Sequence, residues 1–220
     1  MLPKRFTFSM NAATTTGYVV AGTTTSASAL VATGSLMNAS GGVGTPDIPR
    51  RVAIYATYAA SGTTLTVAGF DRRGYPVSEA ITCPGGSTGT IVAGTIDFMT
   101  ASSFTISAGA TGGILSVGTA TNAGLPWVIF DYQNPPEPDL AVAVTYSSSA
   151  NMAASLLYTY DNVFSTTVLE HQAATFTATT MNAATGNTVG VLTVPAVAAR
   201  LYFTNYSTGT AQVTFLQAGR

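Results

Sequence analysis

Apolar residues along this chain fall on every second position, and no long segment repeats them at helical spacing. Successive side chains of a strand point to opposite faces, so a period of two commits a chain to sheets with one face buried. In Arg51-Val52-Ala53-Ile54-Tyr55-Ala56-Thr57-Tyr58, the residues Val52, Ile54, Ala56 and Tyr58 share one face. Ser61-Gly62 turns the chain, and Thr63 to Phe70 returns with Leu65 and Val67 together. Asp71-Arg72-Arg73-Gly74 then forms a charged tip of hairpin-turn composition. Further strands are expected at Val77 to Thr82, Thr90 to Phe98, Ser103 to Ser107, Ile114 to Val117, Leu140 to Tyr146, Ala199 to Asn205 and Thr210 to Gln217. Asp161 to Ala173 is irregular and reads as a loop or a short helix. Short strands punctuated by Gly, Pro and Ser predict an all-β protein of sandwich or barrel type.

Two β-sandwich or barrel-like modules are expected, covering residues 50–124 and 139–220. Between them, residues 125–138 form a Pro-rich linker containing Asn134-Pro135-Pro136-Glu137-Pro138, whose prolines cannot donate to a ladder. The two halves resemble each other in outline. RVAIYATYAASGTTLTVAGFD from Arg51 lies against DLAVAVTYSSSANMAASLLYTYD from Asp139, and SFTISAGATGGILSVGTA from Ser103 against RLYFTNYSTGTAQVTFLQAG from Arg200. Residues 1–49 are dominated by Thr, Ala, Ser and Gly, with apolar insertions at Phe6, Phe8 and Tyr18-Val19-Val20. They read as an extended N-terminal arm with edge strands, either mobile or adding a strand to a neighbouring subunit's sheet.

Only 8% of the 220 residues are charged, against about 25% in an ordinary soluble domain. A surface so poor in charge suits a chain that lies against neighbours. The net charge is −1 and no basic stripe exists, so nucleic acid is not an expected partner. No apolar run reaches the length of a membrane span. The opening MLPKRFTFSMNAATTT lacks the apolar stretch of a secretory signal, so synthesis in the cytoplasm is expected.

Reactive side chains are few. His171, beside Glu170, is the single histidine; zinc wants about four ligands, and a general base wants a nucleophile and an orienting acid. Cys83, the single cysteine, has no adjacent cation to depress its thiol pKa and reads as a small apolar residue. Asp71, Glu137, Asp139 and Asp161 fall at turns or in the linker, where Asp bonds its own backbone. The Gly-rich stretches at Gly41 and Gly109 lack the Gly-Lys-Ser/Thr ending of a phosphate loop. Arg50-Arg51 and Arg72-Arg73 read as solvated strand ends and turn tips. No catalytic, metal or cofactor-binding residue is expected, and the chain is not expected to be an enzyme. The aromatic residues Phe6, Phe8, Tyr18, Trp127, Phe130 and Tyr132 remain as candidate interface positions, with Trp127 and Phe130 also placed to seal the junction of the modules.

Certain segments carry a resemblance. Val67 to Thr82 is similar to a recurring T-G-x-D-x-x-G-x-x-x-x-E-x-I hairpin, with Ala68 where Thr is usual. Gly94-Thr95-Ile96-Asp97-Phe98, Ser103 to Gly109, Ala199-Arg200-Leu201 and Val213 to Gly219 follow. Together they resemble small β-rich virion structural proteins of tailed bacteriophages. The resemblance implies a repeated subunit located in the virion, either a capsid decoration (cement) protein or a neck or tail component. Its implied partners are copies of itself and the major capsid protein or other virion proteins. An adhesive, carbohydrate-binding module using Trp127, Tyr132, Tyr158 or Tyr160 is the alternative.

Overall fold

A computed structural model describes residues 4–9, 11–23, 28–38, 42–56, 63–84, 89–107, 114–129, 140–147 and 150–217. Among these residues the fold is all-β, with no helix. The strands are β1 (Lys4–Ser9), β2 (Val19–Thr23), β3 (Ser28–Ala29), β4 (Arg50–Ala56), β5 (Thr64–Phe70) and β6 (Pro76–Thr82). Next come β7 (Ile91–Phe98), β8 (Thr100–Ile106), β9 (Ile114–Gly124), β10 (Val128–Ile129) and β11 (Leu140–Tyr146). The last are β12 (Asn151–Thr159), β13 (Phe176–Thr177), β14 (Thr188–Leu192), β15 (Ala198–Thr208) and β16 (Thr210–Gln217). Asp161 to Ala173 consists of turns and bends.

By compactness the chain divides into an inserted unit, Ala13–Ala120, and a split unit made of Met1–Ala12 and Thr121–Arg220. The inserted unit holds one sheet in the order β2-β9-β4-β7 and another in the order β3-β8-β5-β6. The split unit holds β1-β16-β11-β14 and β13-β12-β15, with β10 also pairing β15. Writing β1 for β2, β10 for β3, and β11 to β16 for β4 to β9 converts one set of pairings into the other. The paired stretches that look alike in sequence, 51–71 with 139–161 and 103–120 with 200–219, occupy equivalent places in the two orders. Residues 1–49 supply three edge strands: β1 to the split unit, β2 and β3 to the inserted one. Of the expected linker, Val128–Ile129 is a strand on β15, and residues 130–138 lie outside the described set.

Alternation explains the strands. In β11, Leu140, Val142 and Val144 are buried while Ala141 and Ala143 are half-buried; in β16, Ala211, Val213 and Phe215 are buried and Leu216 is exposed. Registered pairs Val142↔Phe215 and Val144↔Val213 put these residues on one apolar face. The strands β4 and β5 are consecutive in the chain but join different sheets, as do β11 and β12. A period of two identifies the buried face and leaves the partner open.

The tip between β5 and β6 is closed by Asp71. Its Oδ1 accepts the N–H groups of Arg73 and Tyr75 at 2.8 and 2.9 Å, and Gly74 takes φ +81°, where a Cβ would be strained. Arg50 departs from the sequence reading. Rather than a solvated strand end, its side chain is 1% exposed and gripped by Asp47, Nε to Oδ1 at 2.7 Å and Nη2 to Oδ2 at 2.9 Å. Burial of so long a cation is tolerated because the carboxylate fork satisfies it bidentately.

Both units seal one sheet edge with a side chain. Glu79 on β6 reaches the edge strand β7, accepting the Thr95 hydroxyl at 2.7 Å and the Ile96 N–H at 3.2 Å, as well as the Thr95 N–H. Gly94 leaves room for it, since a Cβ there would meet the carboxylate. On the edge strand β14, the Thr180 hydroxyl accepts the Val191 N–H at 3.0 Å and donates to the Val191 carbonyl at 2.7 Å. Exposed edges template unwanted pairing, and these plugs remove the template. Glu79→Ala is expected to lower stability in chemical denaturation by about 1 kcal/mol, the net worth of such bonds where water can replace part of them.

Buried phenols set an alkaline limit. Burial pushes Tyr146, whose hydroxyl donates to the Ala184 carbonyl at 2.9 Å, up to about 12 from 10.0, and raises the fully buried Tyr18 further. Below the ordinary phenol pKa both states hold the proton and stability is intact. Above it the unfolded chain ionises first, so stability falls as pH rises toward the folded value. Thermal melts from about pH 9 upward should show Tm dropping once pH exceeds roughly 10. The phenolate absorbance of these two tyrosines should appear only with unfolding; a flat Tm would contradict this.

Candidate interaction surfaces

The residues with chemical potential are spread out. His171 is exposed beside Glu170 on the excursion between Asp161 and Ala174. Asp161 pins that loop by accepting the Ala174 N–H at 2.7 Å, and the Thr159 hydroxyl donates to the Ala174 carbonyl at 2.7 Å. Cys83 is buried, and desolvation raises its thiol pKa, which keeps it a thiol at neutral pH. Among the described residues no three His, Cys, Asp or Glu side chains stand close enough to hold a metal ion.

Burial corrects two of the aromatic interface candidates. Tyr18 is wholly buried, with its ring 5.2 Å from that of Phe104 between centroids. Trp127 is 5% exposed and forms a small core with Val163, Ala173 and Ala198, against which Leu157 and Val168 pack. The Arg200 guanidinium lies 4.7 Å from the Trp127 ring centroid, a cation–π arrangement. Trp127 therefore anchors the 161–174 loop within its own unit and offers no face to a partner. Phe6 and Phe8 lie on β1, opposite Val213 and Ala211, but their side chains are outside the described set. Phe130 and Tyr132 also fall outside it.

Two surfaces emerge, the first not foreseen from sequence and the second foreseen only through Tyr158 and Tyr160. The first is the outer face of the β1-β16-β11-β14 sheet. Register places Ala141 between Val191 and Leu216, and Ala143 between Val189 and Thr214. Val189, Val191 and Leu216 are 59%, 39% and 47% exposed. A low central row of alanines thus runs between two taller rows, a shallow uncharged trough along the strands. The nearest registered charge is Arg5, across from Thr214. On the corresponding sheet of the inserted unit, Arg51 and Asp97 face each other in register, 3.9 Å apart.

Sequence pattern hid this trough because Thr188-Val189-Gly190-Val191-Leu192 has inverted amphipathicity. Its valines point out, while Gly190, where a Cβ would press on Met181, and the buried Leu192 face inward. The second surface is aromatic. Tyr158, Tyr160 and Phe176 have ring centroids 5.5 to 5.8 Å apart, with Tyr158 stacked on Phe176 at 26°, and Tyr160 and Phe176 are exposed.

No protein-family model matches the chain, and no curated protein or solved structure is significantly similar to it. The functional reading rests on these surfaces and on the chain's own chemistry.

Proposed function

We propose that this chain is a non-catalytic structural subunit of a tailed-bacteriophage virion, working as a capsid decoration protein that binds copies of itself and the major capsid protein. The observation that carries the reading is the uncharged trough bounded by Val189, Val191 and Leu216. Isolated exposed apolar side chains need no explanation, but a registered cluster without charge is what an interface core requires. Apolar surface buried there contributes about 25 cal/mol per Å² before association costs, and a lattice multiplies weak contacts. Neck or tail placement uses the same surface and differs in symmetry. Microscopy of purified virions with a labelled copy is the test. Regular label on the capsid shell is expected; label absent from virions ends this reading.

A second reading is supported by the Tyr158, Tyr160 and Phe176 cluster, which is a stacking platform of the kind that binds sugar rings. In that case the chain is an adhesive module. A glycan array without hits above background removes it.

A further inference from the structure

The two strand orders match except in how their first strand is connected. In the inserted unit, four residues separate β2 from β3, so the edge strand on β9 is continuous in sequence with its own unit. In the split unit the equivalent strand on β16 is β1, and the equivalent of β3 is β10. Between β1 and β10 the whole inserted unit, Ala13–Ala120, has been threaded. By pairing, β1 belongs to the split unit; by covalent continuity it is attached to the inserted unit, through residues 10–12.

That arrangement makes β1 separable. It fills the β16 edge over six registered positions, from Lys4↔Phe215 to Ser9↔Thr210. The opposite edge of the same sheet, at β14, is plugged by Thr180, which leaves the β1 side as the edge open to exchange. Removing β1 breaks no loop within the split unit, because the next residue of that unit is Thr121. Asn11 and Ala12, in the connection, are exposed.

We infer that the β16 edge is a strand-acceptor site, and that in the assembled protein its occupant is the β1 strand of a neighbouring copy of this chain. The inference rests on the subunit reading above. Self-filled and exchanged forms make the same ladder, so their intrinsic energies nearly cancel and the balance is set by concentration. In dilute solution the chain fills its own edge. Once contact through the trough has brought copies together on a lattice, the effective concentration of neighbouring strands favours exchange. Only the short connection at residues 10–12 must change its path.

Mixed single-cysteine variants test this. Arg5 and Thr214 are registered partners, and antiparallel partners stand about 4.5–5.5 Å apart at Cα, within disulfide range. Arg5→Cys and Thr214→Cys are placed on separate chains, both carrying Cys83→Ala, then co-expressed, concentrated and oxidised. The expected product is a disulfide-linked dimer of twice the chain mass, present in the mixture and absent from either variant alone. No dimer in the mixture, while a single chain bearing both substitutions closes an internal disulfide, overturns the exchange. Thr7 and Gln212, also registered partners, must give the same answer if the first pair perturbs folding. A mass measurement on the unoxidised mixture separates the two claims. Association without cross-link defeats exchange alone; a monomer at every concentration defeats the subunit reading with it.

Discussion

Asp47→Ala should destabilise the protein by about 3–5 kcal/mol, a large part of the roughly 5–15 kcal/mol that holds a domain folded. The reason is the position of Arg50 at the start of β4. Its guanidinium is almost wholly buried and receives both carboxylate oxygens of Asp47, at 2.7 and 2.9 Å. Deleting the carboxylate leaves a cation in the interior without its counter-charge, and desolvation is then uncompensated. Tyr18, close enough to feel both charges, adds a buried phenol to the same region. A denaturation cycle distinguishes the pair from its parts. Arg50→Met combined with Asp47→Ala removes both charges while keeping an apolar side chain in place, and should recover most of the loss. If Asp47→Ala alone costs less than about 1 kcal/mol, the pair is of the solvated kind and this account of the β4 start is wrong.

Lysines placed at Val191 and Leu216 should do the opposite: leave the fold intact and abolish assembly. Both positions are exposed, so the variant's stability is expected within about 0.5 kcal/mol of the wild type. Lysine is also tolerated on edge strands such as β14. An interface that covers the trough would have to desolvate two ammonium groups without partners. That cost weakens association by about 100-fold or more. The same variant should keep its circular dichroism and its Trp127 fluorescence, since Trp127 sits in a separate small core with Val163 and Ala173.

Much of the fold was legible because alternation is a local property. The strands β4, β5, β6, β11, β15 and β16 follow apolar periods of two, and the Asp71-to-Gly74 tip follows turn chemistry. Partner choice was not legible. The pairing of Lys4–Ser9 with Thr210–Phe215 joins residues about as far apart in sequence as the chain allows, and no local pattern encodes it. Burial of polar residues was equally hidden: Arg50 looks solvated until Asp47 is seen folded back upon it. Aromatic residues misled in the other direction. Tyr18 suggested an interface position and Trp127 either an interface or a seal, yet both are core residues. Tyr158 and Tyr160 stood out in the sequence, but Phe176, which joins them, lies on β13, a two-residue strand too short to announce itself. The trough could not be read from sequence, because only the register of Val189 and Val191 with Ala143 and Ala141 shows which face they share.

An apolar trough on one sheet face is what makes this chain a repeating subunit. The most direct test is the mass of the intact protein in solution across a wide concentration range, wild type beside the Val191→Lys, Leu216→Lys variant. Growth of the wild type into defined multiples, with the variant held at one chain, is the expected result. A wild type that stays single at every concentration, or a variant that multiplies as readily, would contradict it.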